Sequence, residues 1–163
     1  MSAEAPIRIQ HLYISPAHNF FGHHGLPPGE HVMVAQDEVM CLAGRGIEGD
    51  RFLDFKRNYK GQITFFNGEI HAELCTRFRA TETPPSVYRR NVIILGVDLN
   101  SLIGCEFEVQ GIRFLGMAEC TPCHWMDAAF QPGTEEALRN RGGLRAKILT
   151  TGTLKVDVGM TEQ

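Results

Sequence analysis

Short runs of strand-forming residues, separated by turn signals, constrain the fold of this chain more than any other feature. Residues 7–14 alternate apolar and polar side chains with a period of two, which indicates a half-buried strand. Further strand-like runs lie at residues 32–43, 62–66, 92–95, 107–109, 112–117, 144–151 and 154–158. Their spacing is typical of all-β domains rather than of alternating βαβ units. The sequence therefore predicts a mainly β fold, a partly closed β-barrel of roughly eight strands with two or three short helices.

Two pairs of these runs are predicted to form hairpins. Residues 107–109 and 112–117 are separated by Gln110-Gly111, a tight-turn pair. Leu144 to Thr151 and Leu154 to Val158 are separated by Gly152-Thr153, which predicts a second hairpin at the end of the chain.

Helices are predicted at two places, and a short turn at a third. Residues 68–78 carry apolar side chains at i, i+4 and i+8, the spacing of one helix face. Residues 132–139 begin with Thr134 as an expected cap and combine early acids with late bases. Asp98 is expected to cap a turn over residues 99–103.

Composition predicts one cytoplasmic domain over residues 1–163, with residues 1–6 as a frayed end. A chain of 163 residues with 43% hydrophobic content can bury about 70% of its unfolded surface. The formal charge of -3 gives no general attraction to nucleic acid or to an anionic membrane. Five cysteines, without a signal peptide or a long apolar run, argue against a secreted disulfide framework. Nothing in the sequence indicates an oligomeric state.

Residues 15–30 are predicted to form a long surface loop because they are rich in glycine, proline and histidine. Phe20-Phe21 would be costly to leave exposed, so we interpret the loop as a lid over a ligand or partner. Four histidines lie in or next to this loop: His18, His23, His24 and His31. Imidazole is a common metal ligand, but we interpret the clustering of these histidines as coincidence in a loop rather than as a metal site.

Two cysteines and a histidine follow the strand predicted at residues 112–117, within Glu119-Cys120-Thr121-Pro122-Cys123-His124. A Cys-x-x-Cys pair can form a disulfide, supply half of a zinc site, or contain one working thiol, and the spacing does not choose among these. A structural zinc site needs four ligands, and no second such pair is present. The motif marks reactive sulfur as the main functional signal.

A glycine-rich turn spans residues 44–51, Gly-Arg-Gly-Ile-Glu-Gly-Asp-Arg. Three glycines in six positions permit positive φ angles and the close approach of a ligand to the backbone. Asp50 either pairs with Arg51 or holds the turn through its own side chain.

Taken in order, several segments resemble the MOSC domain, a module found at the C-terminus of molybdenum cofactor sulfurases and in stand-alone bacterial proteins. The resemblance runs over most of the chain. It is carried by residues 46–51, 90–92, 96–99, 103–104, 122–123 and 143–145.

The resemblance implies a β-barrel-rich fold and a molybdenum-pterin cofactor. It also implies a cysteine that carries sulfane sulfur or ligates molybdenum, and Cys123 matches the Pro-Cys motif. Cys120 is then a candidate resolving thiol. His124 and Arg145 are candidates for stabilising a Cys123 thiolate.

Such a cofactor carries a phosphate, so cations and exposed amides should converge on its site. Asn91 would either orient the ligand or satisfy backbone groups at a strand end. The candidate cofactor-binding residues are Arg45, Gly49, Asp50, Arg51, Arg90, Asn91 and Arg145.

The chain departs from the family pattern in two ways, and each argues against one of the functions found in the family. The amidoxime-reducing branch has a molybdenum-ligating cysteine in the segment that matches Arg145 to Thr151, and this chain has none there. The chain also lacks the aminotransferase-like portion of full sulfurases, which argues against binding of pyridoxal phosphate. Sulfur would then come from a separate cysteine desulfurase and pass to a molybdoenzyme client.

Three hypotheses follow. The first is a protein that binds a molybdenum-pterin cofactor or carries sulfur for it through Cys123, with sulfurtransferase-like or molybdenum-dependent catalysis left open. The second is a non-catalytic module that escorts the cofactor or binds a partner. The third is a thiol redox protein that uses Cys120 and Cys123.

Overall fold

The computed structural model describes residues 7–16, 33–122 and 125–157. Within these ranges the chain forms ten strands, three α-helices and two 3-10 helices. The strands are β1 (Arg8–Ile14), β2 (Val34–Gln36), β3 (Glu38–Leu42), β4 (Gly46–Ile47), β5 (Ile63–Asn67), β6 (Val92–Leu95), β7 (Glu106–Val109), β8 (Ile112–Glu119), β9 (Leu144–Ile148) and β10 (Gly152–Lys155). The α-helices are α1 (Gly68–Arg77), α2 (Trp125–Ala129) and α3 (Thr134–Ala137), and the 3-10 helices span Pro85–Tyr88 and Leu99–Leu102.

The strands form two sheets. Seven strands make the larger sheet, in the order β2-β1-β6-β5-β9-β8-β7, and the smaller sheet has the order β10-β3-β4. All neighbours are antiparallel except β5 and β6. That parallel pair is connected through α1, so the fold contains one βαβ crossover although the strand spacing predicted an all-β domain without such units.

The larger sheet is covered on both faces at its centre. Phe65 and Val92 belong to an apolar cluster shared with residues of the smaller sheet, including Val39 and Leu154. Phe66 and its neighbours on the opposite face pack with residues of the helices. Because successive strand residues point to opposite faces, a strand covered on both sides is a continuous apolar run rather than an alternating one.

The first predicted hairpin and the main helix are confirmed. β7 and β8 pair across Gln110 and Gly111, whose φ angles are 53° and 81°. Two successive positive φ angles match the twist of a tight two-residue hairpin. In α1, Leu74 is buried and the flanking apolar residues pack against the same cluster, as the periodicity predicts. Asp98 caps the second 3-10 helix by accepting a hydrogen bond from the Asn100 N–H at 3.2 Å.

The second predicted hairpin is wrong. β9 pairs with β5 and β8 in the larger sheet, whereas β10 pairs with β3 in the smaller one. Residues 149–151 therefore carry the chain from one sheet to the other, and the Gly152-Thr153 pair that was predicted as the turn belongs to β10. The prediction relied on a local turn, whereas β9 and β10 each pair with strands that are distant in sequence and become buried by doing so.

The other fold predictions are confirmed in part. The described chain is mainly β with three α-helices, but β2 and β7 remain as separate edges of the larger sheet, so closure into a barrel is not confirmed. The helix predicted at residues 132–139 is a single turn, and Gly133 rather than Thr134 is its cap residue. Residues 1–6 and nearly all of the predicted lid at 15–30, with His18, His23, His24 and His31, lie outside the described residues. No described helix has both the length and the apolar character needed to cross a bilayer.

Candidate functional site

A cleft of about 230 Å³ opens where the loop after β4 meets the ends of β5, β8 and β9. Four arginines and no acidic side chain are found among the described residues that line it. The cleft is therefore strongly cationic, although the whole chain has a formal net charge of -3. The lining consists of Arg51, Phe52, Tyr59, Gly61, Thr64, Tyr88, Arg89, Arg90, Cys120, Thr121, Met126 and Arg145.

Arg145 lies on β9, opposite Thr64 of β5 in the antiparallel register. Its side chain is half-buried between two fully buried strand neighbours that face the core. The guanidinium has no hydrogen-bond or ion-pair partner among the described residues. A guanidinium that lines a cleft and has no partner in the described part of the chain is suited to contact an anionic ligand.

Arg90 uses its guanidinium chiefly to hold backbone carbonyls. Its Nε donates to the Gly142 carbonyl at 3.1 Å, and one Nη donates to the Tyr88 carbonyl at 2.9 Å. The other Nη lies 3.5 Å from the Cys120 carbonyl. Arg90 therefore positions the cysteine segment at the wall of the cleft.

The Gly142-Gly143 pair allows this close contact. A Cβ at Gly142 would lie 2.1 Å from the Cys120 carbonyl oxygen, and one at Gly143 would lie 2.4 Å from the Phe65 carbonyl oxygen. The Cys120 N–H donates to the Gly143 carbonyl at 2.8 Å. Only glycine leaves room for backbone to approach backbone at both positions.

Arg89 is buried at the wall of the cleft, and Arg51 beside it is half-buried. Arg89 is 8% exposed, adopts the left-handed backbone conformation with φ 59°, and donates to the Ser15 hydroxyl at 3.5 Å. Arg51 donates to the Arg89 carbonyl at 3.3 Å and lies 4.7 Å from the centre of the Phe52 ring. Burial is the main cause that lowers the pKa of Arg89 to about 10, and the positive charge of Arg51 lowers it further. The negative charge of Asp50 raises the pKa and so acts in the opposite direction. Burial also lowers the pKa of Arg51.

Arg89 is the site residue that sequence reasoning missed. The pair Arg89-Arg90 precedes β6 and is visible as two basic residues, but the motif match singled out Arg90 alone. The positive φ angle at Arg89 separates the environments of the two side chains. Sequence patterns rarely predict that conformation for an arginine.

Asp50 and Asn91 form a buried network behind the cleft. The Asp50 carboxylate accepts from the Ser15 N–H at 2.9 Å and from the Phe52 N–H at 3.2 Å. Asn91 donates to Asp50 at 3.3 Å and accepts from the Thr64 N–H at 3.0 Å. These bonds use both side chains within the protein, so the structure places them as supports of the loop and strands around the cleft.

The remaining candidates in the glycine-rich turn lie outside the cleft. Arg45 forms an exposed ion pair with Asp54 at 2.7 Å, and Gly49 is exposed with φ 86°. A Cβ at Gly49 would lie 3.3 Å from the Ile14 side chain. Gly49 is therefore explained by the backbone conformation and the limited space in the turn. The structure does not bring Arg45 to the other arginines.

Cys120 lines the cleft and is 3% exposed. Cys123 and His124 lie outside the described residues. The described residues also contain no group of three or more histidine, cysteine or acidic side chains that could hold a metal ion.

Aromatic rings form the side of the cleft next to the arginines. Phe52 and Tyr59 line it, and their ring centres are 5.5 Å apart with an interplanar angle of 31°. Phe55 packs against both rings with edge-to-face geometry. The loop after β4 therefore supplies flat apolar surface as well as a cation, a combination that sequence reasoning did not identify.

Other concave regions of the described chain lie outside this cleft, and two of them contain candidate chemical groups. A groove of about 390 Å³ on the far side of Thr121 is lined mainly by polar and acidic residues, including Glu119 and Asp127. A second region is lined in part by His71 and Cys75 of α1, whose Sγ lies 3.4 Å from Nε2. Because that Nε2 also contacts the Thr83 carbonyl at 2.8 Å, it carries the proton and cannot act as a base toward the thiol.

Solved structures with similar folds include two bacterial proteins. The YuaD protein from Bacillus subtilis is 19% identical, with 92% of this chain and 91% of that chain covered and a TM-score of 0.72. YiiM from Geobacillus stearothermophilus is 15% identical, with 96% and 79% covered and a TM-score of 0.66. At these identities the likeness is one of fold. A comparison with curated proteins gives no match.

The MOSC domain model matches residues 51–161, a range that contains every residue lining the cleft. This match confirms the resemblance found in the sequence. The family is associated with functions related to the molybdenum cofactor. Because the matched range covers more than half of the 163 residues, the chain belongs to the MOSC domain family.

Proposed function

We propose that this protein binds a molybdenum-pterin cofactor, or carries sulfur destined for it, at the arginine-lined cleft. The observation that carries the proposal is the convergence of four arginines beside Cys120, without an acidic residue in the described lining. An anionic ligand is favoured at such a site because cations that are partly shielded from water attract it, and no carboxylate among the described lining residues competes with it.

The residues of the cleft fit the charged end of the cofactor. Arg145 offers a guanidinium without a partner among the described residues, and the half-buried Arg51 and the buried Arg89 add two further cations. The volume of about 230 Å³ is below the range usual for a whole cofactor site, so the cleft would hold the phosphate end and a ring edge. When bound, the cofactor would supply a molybdenum centre with oxygen and sulfur ligands. Phe52 and Tyr59 would pack on the ring, and Arg90 would keep the Cys120 segment against it.

Cys123 is the proposed sulfur carrier or molybdenum ligand, and Cys120 and His124 are proposed to assist it. In sulfur transfer, the Cys123 thiolate attacks the outer sulfur of a donor persulfide and forms a new S–S bond. The donor S–S bond breaks and the donor leaves as a thiolate, so no external oxidant is needed. A cationic cleft favours this chemistry because positive charge stabilises a thiolate. A cysteine desulfurase is the proposed donor and a molybdoenzyme the proposed client.

Cofactor retention tests the proposal. Purified protein is mixed with cofactor released from a donor enzyme, and pterin fluorescence that co-elutes on gel filtration is measured for wild type, Cys123→Ser and Arg145→Gln. We expect wild type to retain cofactor and Arg145→Gln to lose most of it. Loss in Cys123→Ser would indicate a thiol ligand to molybdenum, and equal retention would assign Cys123 to sulfur transfer. Absence of retention by wild type would contradict cofactor binding.

Persulfide labelling tests the sulfur-carrying role separately. After incubation with a desulfurase and cysteine, we expect label on wild type and none on Cys123→Ser. Cys105→Ser is the matched control, because Cys105 is an exposed thiol outside the cleft and would carry the label if exposure alone decided it. Label that disappears with Cys105 and persists without Cys123 would contradict the assignment.

A further inference from the structure

The concave region beside α1 is a groove of about 550 Å³ on the helix-covered face of the larger sheet. β1 contributes Gln10, His11 and Tyr13 to its lining, α1 contributes His71 and Cys75, and residues 81–85 close the other side. This α1 groove shares no described lining residue with the arginine-lined cleft. Its volume lies within the usual range for small-molecule sites, so it is a second candidate binding site.

A β-bulge in β1 brings adjacent side chains to the groove. The register of β1 against β6 shifts between Ile9 and His11, so Gln10 is an extra residue on the β1 side. In a regular strand successive side chains point to opposite faces, but a bulge re-aims one of them. Gln10 and His11 therefore both line the groove, as does Tyr13 two residues further on. At the start of α1, Gly68 leaves room for the Gln10 side chain, since a Cβ there would lie 2.4 Å from Oε1.

The polar groups that β1 brings to the groove are not paired within the described fold. Tyr13 is 6% exposed, and its hydroxyl has no hydrogen-bond partner among the described residues. The His11 ring nitrogens and the Gln10 side-chain amide also have none within those ranges. Buried hydroxyls are normally paired, because removing one from water without a new partner costs free energy. The Tyr13 hydroxyl in the wall of a groove therefore points to a ligand that supplies the partner.

His71, in contrast, is held by the fold. Its Nδ1 accepts a hydrogen bond from the Tyr88 hydroxyl at 2.7 Å, and its Nε2 donates to the Thr83 carbonyl at 2.8 Å. Both ring nitrogens are occupied, so His71 forms a fixed wall of the groove. The Tyr88 hydroxyl thus has the kind of partner that the Tyr13 hydroxyl lacks in the described chain.

The groove has little charge near neutral pH. Burial lowers the pKa of His11 and of His71, which favours their neutral forms. Burial raises the pKa of Cys75 and raises the pKa of Tyr13 to about 12. Glu82, which is exposed, is the one charged side chain among the described lining residues. An ionic ligand would gain little here in return for its lost hydration, so the groove favours an uncharged ligand.

We propose that the α1 groove binds an uncharged, planar heteroaromatic ring that carries both hydrogen-bond donors and acceptors. The His11 and Tyr13 rings are stacked, with centres 5.8 Å apart and an interplanar angle of 18°, and a further ring can stack on such a flat surface. The Tyr13 hydroxyl, the His11 imidazole and the Gln10 amide can each donate and accept hydrogen bonds. This site goes beyond the proposed function and does not depend on it.

Nuclear magnetic resonance titration of the full chain tests the site with nicotinamide and cytosine. Each probe is planar, uncharged at neutral pH, and able to donate and accept hydrogen bonds. We expect both probes to shift the backbone resonances of β1 and α1, with a Kd of about 1–10 mM, as is usual for ligands of this size. Nicotinate has a carboxylate in place of the amide, and it should bind this groove at least about fivefold more weakly than nicotinamide.

Tyr13→Phe removes the unpaired hydroxyl and keeps the ring. It should weaken binding of both probes at least about fivefold, because one hydrogen bond to the ligand is lost. Its melting temperature should stay close to that of wild type, because no hydrogen bond within the described chain is lost. Tyr88→Phe is the matched control for stability: it removes the hydroxyl that donates to His71 and should melt several degrees lower. Tyr59→Phe, in the arginine-lined cleft, should bind both probes as wild type does.

Failure of both probes to shift the β1 and α1 resonances at about 20 mM would overturn the site. Equal binding by Tyr13→Phe and wild type would overturn it too, as would shifts confined to the loop after β4. A melting temperature of Tyr13→Phe as low as that of Tyr88→Phe would show that the hydroxyl supports the fold, which contradicts its assignment to a ligand. Cofactor retention is measured at the other cleft, so this site and the proposed function can fail separately.

Discussion

Replacing Asn91 by alanine should destabilise the fold strongly, although sequence reasoning made this residue a candidate ligand. Its Oδ1 accepts from the Thr64 N–H at 3.0 Å and from the Thr64 hydroxyl at 3.1 Å. Its Nδ2 donates to the Tyr13 carbonyl at 3.2 Å and to Asp50 at 3.3 Å. The side chain thereby ties β1 and β5 to the loop that carries Arg51, while Asn91 itself is 2% exposed.

The expected magnitude follows from these four bonds. The two shorter bonds contribute about 1 kcal/mol each and the two longer ones about half as much, so the free energy of unfolding should fall by about 3 kcal/mol. The buried Thr64 N–H is left without an acceptor, which accounts for much of the loss. For a chain of this size the melting temperature should fall by about 6–12 °C.

Urea unfolding followed by circular dichroism measures the change, with Asn100→Ala as the matched control. Asn100 is exposed and its side chain donates one hydrogen bond, to the Asn140 carbonyl at 2.6 Å. That substitution should cost less than about 1 kcal/mol. A loss below about 1 kcal/mol for Asn91→Ala, with an unchanged denaturant slope, would refute the interpretation of Asn91 as a structural residue.

Three further outcomes are expected. Gly142→Ala should weaken cofactor retention more than it lowers the melting temperature, because its Cβ would lie 2.1 Å from the Cys120 carbonyl oxygen and displace it. Unchanged cofactor retention on gel filtration would contradict a role for this close contact. Iodoacetamide should modify exposed Cys105 in the native protein but leave buried Cys41, because burial raises the pKa of the Cys41 thiol to about 12. Mass spectrometry measures the order of modification, and labelling of Cys41 before Cys105 would contradict the prediction. Burial lowers the pKa of His71, so the unfolded state binds more protons than the folded state, and the free energy of unfolding should fall as the pH drops below about 6.5. If His71→Gln leaves the dependence of the unfolding free energy on pH unchanged, His71 is not a source of that dependence.

Local patterns predicted much of the secondary structure. The β7–β8 hairpin and α1 follow from turn chemistry and apolar spacing, which act between residues near in sequence. The pairing of β10 with β3 does not, because the two strands lie over a hundred residues apart and their contact depends on covering a shared core. The same limit applies to β5 and β6, whose parallel pairing requires the α1 crossover.

The sequence by itself determined the family, the mainly β character, the cysteine motif, and the roles of Arg51 and Arg145 as candidate cations. Tertiary structure decided which cations share a cleft. It separated Arg45, which pairs with Asp54 at the surface, from the cleft arginines, and it assigned Asn91 to a buried network. It also added Arg89, whose left-handed backbone and burial distinguish its environment from that of Arg90. The physical reason is that charge type is a local property of sequence, whereas burial and hydrogen-bond partners arise only when distant segments pack.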